Sequence, residues 1–185
     1  MRITKYLRTD QELIVHFLDM LGMGSSVLNS SKRAGPGFFI FAHTFMHEYI
    51  EESFFKKEEF LFKALEDSGF PSEDGPIMAM RDEQAKSSES AGHMFNAAKG
   101  WQGGDDEARG EVGWAASEYT LTLRHHLDRL NNRIFPLLEQ NMSTEDEHKI
   151  AEGLNKIAFE ISMMGDEDKY TKLIQSLEEE LSDWK

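Results

Sequence analysis

The 185-residue chain has no cysteine. Disulfides, thiolate metal ligands and cysteine nucleophiles are therefore excluded, and a reducing compartment suits the composition. Proline is scarce, at four residues, and Val and Thr are thin. No apolar run is long enough to span a bilayer, and mean hydropathy is −0.53. The start, Met1-Arg2-Ile3-Thr4-Lys5-Tyr6, carries no apolar stretch behind its charges. No secretory leader is expected, and the expected location is cytoplasmic. Positive charge is also in deficit: 20 Lys and Arg stand against 34 Asp and Glu, a net −14. Phosphate backbones and anionic bilayers would be repelled, so neither nucleic acid nor a membrane is an expected partner. The acidity suits solubility or attraction of cations. A homo-oligomer or a protein partner stays open.

What the chain does have is helical periodicity, with 13 Phe to fill a core. A first helix is expected from about Asp10 to Ser30, with Thr9 and Glu12 as a capping box. A turn over Ser30–Gly37 leads to a second helix, about Phe38 to Asp67. Ser68-Gly69-Phe70-Pro71 stops it, with Gly69 at the C-terminal cap. Pro76 opens a third helix, which ends before Lys99. After a glycine-rich link, a fourth runs from about Asp106 to Gln140. Thr144 with Glu147 reads as a second capping box, opening a fifth helix. Gly165-Asp166 separates that helix from a last one ending near Trp184. The fold class is all-α: an up-down four-helix bundle with one or two extra C-terminal helices. A single domain is expected over 1–185, with the bundle at about 7–140 and the appendage at about 143–184.

Spacings of three, four and seven set the inward stripes. They are Gln11, Ile14, Leu18 and Leu21; then His43, His47, Ile50, Phe54, Leu61 and Leu65. The third helix gives Ile77, Met80, Gln84 and Phe95. The fourth gives Tyr119, Leu123, His126, Leu130 and Ile134. The polar members matter most, because a buried polar group needs a hydrogen bond or a metal. Phe-x-x-Leu-Glu occurs twice, at Phe62–Glu66 and Phe135–Glu139, in helices that run the same way in a bundle.

Several stretches resemble the hemerythrin-like, or HHE cation-binding, family. Lys57-Glu58-Glu59 leading to Leu61-Phe62-Lys63-Ala64-Leu65-Glu66 is similar to its Lys-Glu-Glu run before Leu-Phe-Pro-x-Leu-Glu. Gly69-Phe70-Pro71, then Gly75-Pro76-Ile77 and Met80, resembles its Gly-Ile-Pro…Gly-Pro-Ile…Met connection. Leu123-Arg124-His125-His126-Leu127 through Phe135-Pro136 resembles its Leu-Arg-x-His-Ile…Leu-Phe-Pro signature. Glu83-Gln84 stands where the family has Glu-His. The resemblance covers roughly Leu7 to Gln140. It implies a four-helix bundle with a non-haem di-iron centre that binds oxygen or senses redox state.

The ligand positions depart from that pattern. Gln11 and Gln84 stand where the family has histidines. The His-x-x-x-Glu of the second helix falls on Ser53 with Lys57 or on Phe54 with Glu58. His126 is kept, but Leu130 replaces the glutamate four residues on. Glu58 and His126 are the surviving ligands, too few for a di-iron centre. The resemblance then implies an eroded site and a binding, sensing or structural role. The alternative is a retained or relocated metal site, for iron or another divalent cation. His43, His47 and Glu51 offer it a His-x-x-x-His spacing, with Glu58 and His126 beside them. The bland alternative is that His43 and His47 bond to neighbours at the core edge, and that Glu58 belongs to a solvated charge run. No triad or carboxylate pair makes a positive case for an enzyme.

Overall fold

A computed structural model describes residues 2–30, 32–163, 165 and 168–184. Among the described residues there are six helices and no strand. Helix α1 is Arg2–Val27. Helix α2 spans residues 36–67 without a break: Pro36–Thr44, a π-helical stretch Phe45–Phe54, then Phe55–Asp67. Helix α3 is Pro76–Gln102. Helix α4 spans residues 108–141, with a π-helical turn Leu130–Ile134 inside it. Helices α5 and α6 are Thr144–Ser162 and Lys169–Asp183. The all-α bundle with extra C-terminal helices is the observed architecture.

Two expected caps are corrected. Thr9 and Glu12 sit inside α1, which begins eight residues earlier than expected because Ile3 and Leu7 extend its buried stripe. The box that opens α5 is Ser143 with Asp146, one residue earlier than Thr144 with Glu147. The Ser143 hydroxyl accepts from the Asp146 N–H, and the Asp146 carboxylate accepts from the Ser143 N–H. Two other punctuation marks stand. Gly69 ends α2 in the left-handed region, at φ 97°, and Phe70 N–H bonds back to the Leu65 carbonyl. Pro76 occupies the first turn of α3. The break at Gly165-Asp166 lies partly outside the described residues.

The core is one cluster of Phe, Leu, Ile, Met and Ala from all six helices. Helices α3 and α4 form the most extensive helix pair, and α1 packs on α4. Alanines at 91, 97, 98, 115 and 116 are buried and let α3 and α4 approach closely. The two C-terminal helices cover α1 and α2 in series. Helix α6 takes the early half of α2, where Trp184 meets Phe38 at 4.9 Å and Tyr170 meets Tyr49 at 5.1 Å between ring centroids. Helix α5 takes the later half, where Gly153 is a seat for Phe60: a Cβ there would lie 2.6 Å from the ring.

Candidate functional site

Glu58 lies four residues beyond the π-helical stretch of α2, and His126 lies four residues before the π-helical turn of α4. Such turns re-aim side chains and recur at functional sites. Both side chains are fully buried and face each other. His126 Nε2 is 2.7 and 2.9 Å from the two oxygens of Glu58. Helix α3 supplies consecutive residues to either side of this pair. The Gln84 amide donates to Glu58 at 2.7 Å, and Glu83 accepts from His126 Nδ1 at 3.1 Å. Arg129, one turn beyond His126, donates from Nε to the other oxygen of Glu83 at 3.0 Å. Phe55 closes the site with its ring edge-on to the imidazole, 5.5 Å between centroids. One continuous chain of bonds thus runs Gln84–Glu58–His126–Glu83–Arg129, fully buried at Glu58 and His126 and partly exposed at both ends.

The electrostatics favour an imidazolium. Burial alone would lower the His126 pKa, because it penalises the charged ring. Glu58 first, and then Glu83, outweigh that penalty and hold it up at about 9. For Glu83, burial raises the pKa, but the bonds from His126 and Arg129 prevail and leave it below the usual carboxylate value. Both ring nitrogens therefore donate to carboxylates, and the buried positive charge is paired on two sides.

The other candidate residues fall into three places. Phe54 and Leu130 are fully buried and apolar. Gln11 is buried, and its side-chain oxygen accepts from Asn131 at 2.9 Å, while its own amide nitrogen has no partner among the described residues. The Phe54/Glu58 register is the one that meets His126, since the alternative places Lys57 on another network. His43, His47 and Glu51 form a ladder down a different part of α2. His43 stacks on Phe95 at 4.2 Å and parallel to His47 at 6.2 Å, and His47 Nδ1 is 3.4 Å from Glu51. Burial, then the charge of His47, lowers the pKa of His43. The expectation that His47 faces inward is corrected: its side chain is 54% exposed. A π-helix closes i→i+5 bonds, so a wheel drawn at 3.6 residues per turn drifts over this stretch. Glu58 is likewise no part of a solvated run.

Sequence reasoning did not find the roles of Glu83, Arg129 or Asp10. Glu83 precedes Gln84, and Arg129 follows His126 at the i,i+3 spacing, so the α3–α4 hairpin register holds the signal for both. Asp10 belongs to a second buried network. The Lys57 ammonium donates to one Asp10 oxygen at 2.7 Å, and the Tyr49 hydroxyl donates to the other at 3.1 Å. Lys57 also lies 5.3 Å from the centroid of the Tyr6 ring. Burial, then Asp10, pushes the Tyr49 phenol far up.

Fold and core together define an all-helical bundle protein with a carboxylate–histidine centre. The hemerythrin HHE cation-binding domain family model matches residues 2–138, and the chain belongs to that family. Comparisons with curated proteins and with solved structures gave no match. The family binds metal cations, usually iron, so the residues present must be tested against such a centre. Among the described residues no group of three or more His, Asp and Glu is placed to hold a metal ion. Glu58 and His126 are spent on each other, and Leu130 and Phe54 offer no donor. The present donor set does not fit a di-iron centre. Among the described residues no helix is long and apolar enough to cross a membrane.

Proposed function

We propose that this chain is a hemerythrin-family bundle with an eroded di-iron site, serving as a binding, sensing or structural module. The observation that carries this reading is His126 held between two carboxylates, with Glu58 on Nε2 and Glu83 on Nδ1. A protonated imidazole supplies positive charge in the core where a metal cation would otherwise balance the glutamates. Gln84 donates to the Glu58 oxygen nearer His126, and Arg129 ties Glu83, so the charges are compensated by side chains of this chain alone. No catalytic residue is assigned. We place its work in the cytoplasm, with a second copy or another protein as partner.

A second reading rests on a specific feature of the same group. A carboxylate on the far nitrogen of a histidine is the usual support behind a metal-ligating imidazole. Glu83 stands in that relation to His126, and Glu58 faces the near nitrogen. On that reading the protein takes up iron or another divalent cation and uses it for oxygen, iron or redox sensing. Metal analysis by plasma mass spectrometry of untagged protein separates the two. No stoichiometric metal, with the helical fold intact, supports the first reading. About one metal per chain, lost in Glu58→Ala, supports the second. Two irons per chain would contradict the eroded site.

A further inference from the structure

A groove between α2 and α5 stands apart from the His126 centre. Its volume is about 390 Å³, within the range of small-molecule sites. Phe60 and Ile157 form its apolar floor, with Phe60 39% exposed although its ring is seated on Gly153. Around this floor stand Lys56, Lys63 and Lys156. Three of the 20 basic residues thus gather at one groove in a chain of net charge −14. Lys56 is paired with Glu52 at 2.7 Å. Lys63 and Lys156 have no ion-pair partner among the described residues. Of the two acidic groups in the lining, Glu59 is engaged twice by Arg81, which leaves Glu160. The local balance is therefore cationic in an otherwise acidic protein.

We propose that this groove binds a free, singly charged anionic amphiphile: one alkyl chain of medium length ending in a carboxylate. The alkyl chain lies on Phe60 and Ile157, and the carboxylate is shared by Lys63 and Lys156. One anionic head suits two unpaired ammonium groups. The net negative charge of the rest of the molecule repels an anionic bilayer, so the amphiphile is bound free and not as part of a membrane. The groove is open, so affinity is modest, and charge at its rim governs selectivity more than strength.

The test is a titration of the full ¹⁵N-labelled chain with decanoate, decanol or decylamine below their micelle concentrations, followed at the Phe60, Gly153 and Ile157 amides. Decanoate is expected to give saturable shifts, decanol weaker ones and decylamine none. Lys63→Gln with Lys156→Gln is expected to lower decanoate affinity by about five- to tenfold and leave decanol unaffected. Both lysines are exposed, and an unchanged thermal melt confirms that the variant is folded. Unmoved amides, decylamine binding as well as decanoate, or full decanoate affinity in the double variant would each overturn the proposal. So would a saturable response confined to an acidic amphipathic helical peptide, which would make the groove a protein-docking surface.

Discussion

Lys57 and Glu58 are consecutive residues of α2, yet they feed two different buried networks. Lys57 reaches Asp10 of α1, and Glu58 reaches His126 of α4. Each joins helices that are far apart in sequence, and each puts opposite charges largely out of water. They differ in the cation. One network is built on an ammonium and a phenol, the other on an imidazole whose charge is set by its neighbours. Helix α2 thus carries a lysine tie on the side of α1 and a titratable tie on the side of α3 and α4. Only the second includes Glu58 and His126, the two residues that the family resemblance marks as ligand positions.

The largest effect is expected at His126. In His126→Ala the Glu58 carboxylate stays buried without its cation, with a cavity beside it. The cost is about 4 kcal/mol of unfolding free energy, read from urea denaturation. Because that could abolish folding, the paired change Glu58→Leu with His126→Leu completes the test. It removes both charges at once, and its loss should be well below the sum of the two single changes. A paired loss equal to the sum of the two single losses would mean that the pair contributes no coupling.

The next effect separates the networks by pH. His126 titrates near 6.5 when unfolded and at about 9 in the fold. A raised pKa means that the folded state binds the proton more tightly. The resulting stability is full below pH 6.5 and is lost as pH rises through about 9. The span corresponds to about 3 kcal/mol. Urea midpoints at pH 6 and pH 9.5 check this, and the His126→Leu, Glu58→Leu protein should lose most of the difference. A profile that is flat in the parent chain would show that the fold leaves the His126 pKa unshifted, and stability that rises with pH would show that His126 is neutral in the fold.

Asp10→Asn probes the other side. It keeps an acceptor for Tyr49 but leaves the Lys57 ammonium without its anion. Asp10 is partly exposed, at 16%, which moderates the expected loss to about 2 kcal/mol. The decisive comparison is with the pH series. Asp10→Asn should shift the whole stability profile down and leave its slope between pH 6 and pH 9.5 as it was. If the slope changed too, the two networks would be one coupled system through the shared turn of α2.

The helices and most of the core stripe were legible in the sequence, because a straight α-helix repeats faithfully and Gly69 and Pro76 mark their own positions. The family resemblance also pointed to His126 and left Phe54 with Glu58 as one of two registers, between which the contact of Glu58 with His126 decides. What a 3.6-residue wheel could not show was the π-helical stretch Phe45–Phe54. That stretch turns His47 outward. Nor could it show Glu58 as a core residue, since Lys-Lys-Glu-Glu looks like a solvated run until its partners are known. Those partners, Asp10 on α1 and His126 on α4, lie 47 residues from Lys57 and 68 from Glu58. Pairings at that separation are decided by helix packing, on which local pattern is silent.

The smallest effect expected is at Tyr49, where α6 meets the lysine network. Its hydroxyl donates to Asp10, and its ring stacks on Phe45 at 4.8 Å and lies 5.1 Å from Tyr170. Tyr49→Phe keeps the ring and removes only the hydroxyl. Asp10 keeps Lys57 on one oxygen and, being partly exposed, offers the other to solvent, so the loss should be about 1 kcal/mol. Tyr170 itself bonds Glu48, and burial followed by the Glu48 charge pushes its pKa up to about 12. If α6 docks through ring packing, Tyr49→Phe leaves amide exchange along α6 unchanged. Faster exchange confined to α6 would mean instead that the Asp10–Tyr49 bond sets the ring angle on which Tyr170 rests, making the lysine network the anchor of the C-terminal helix.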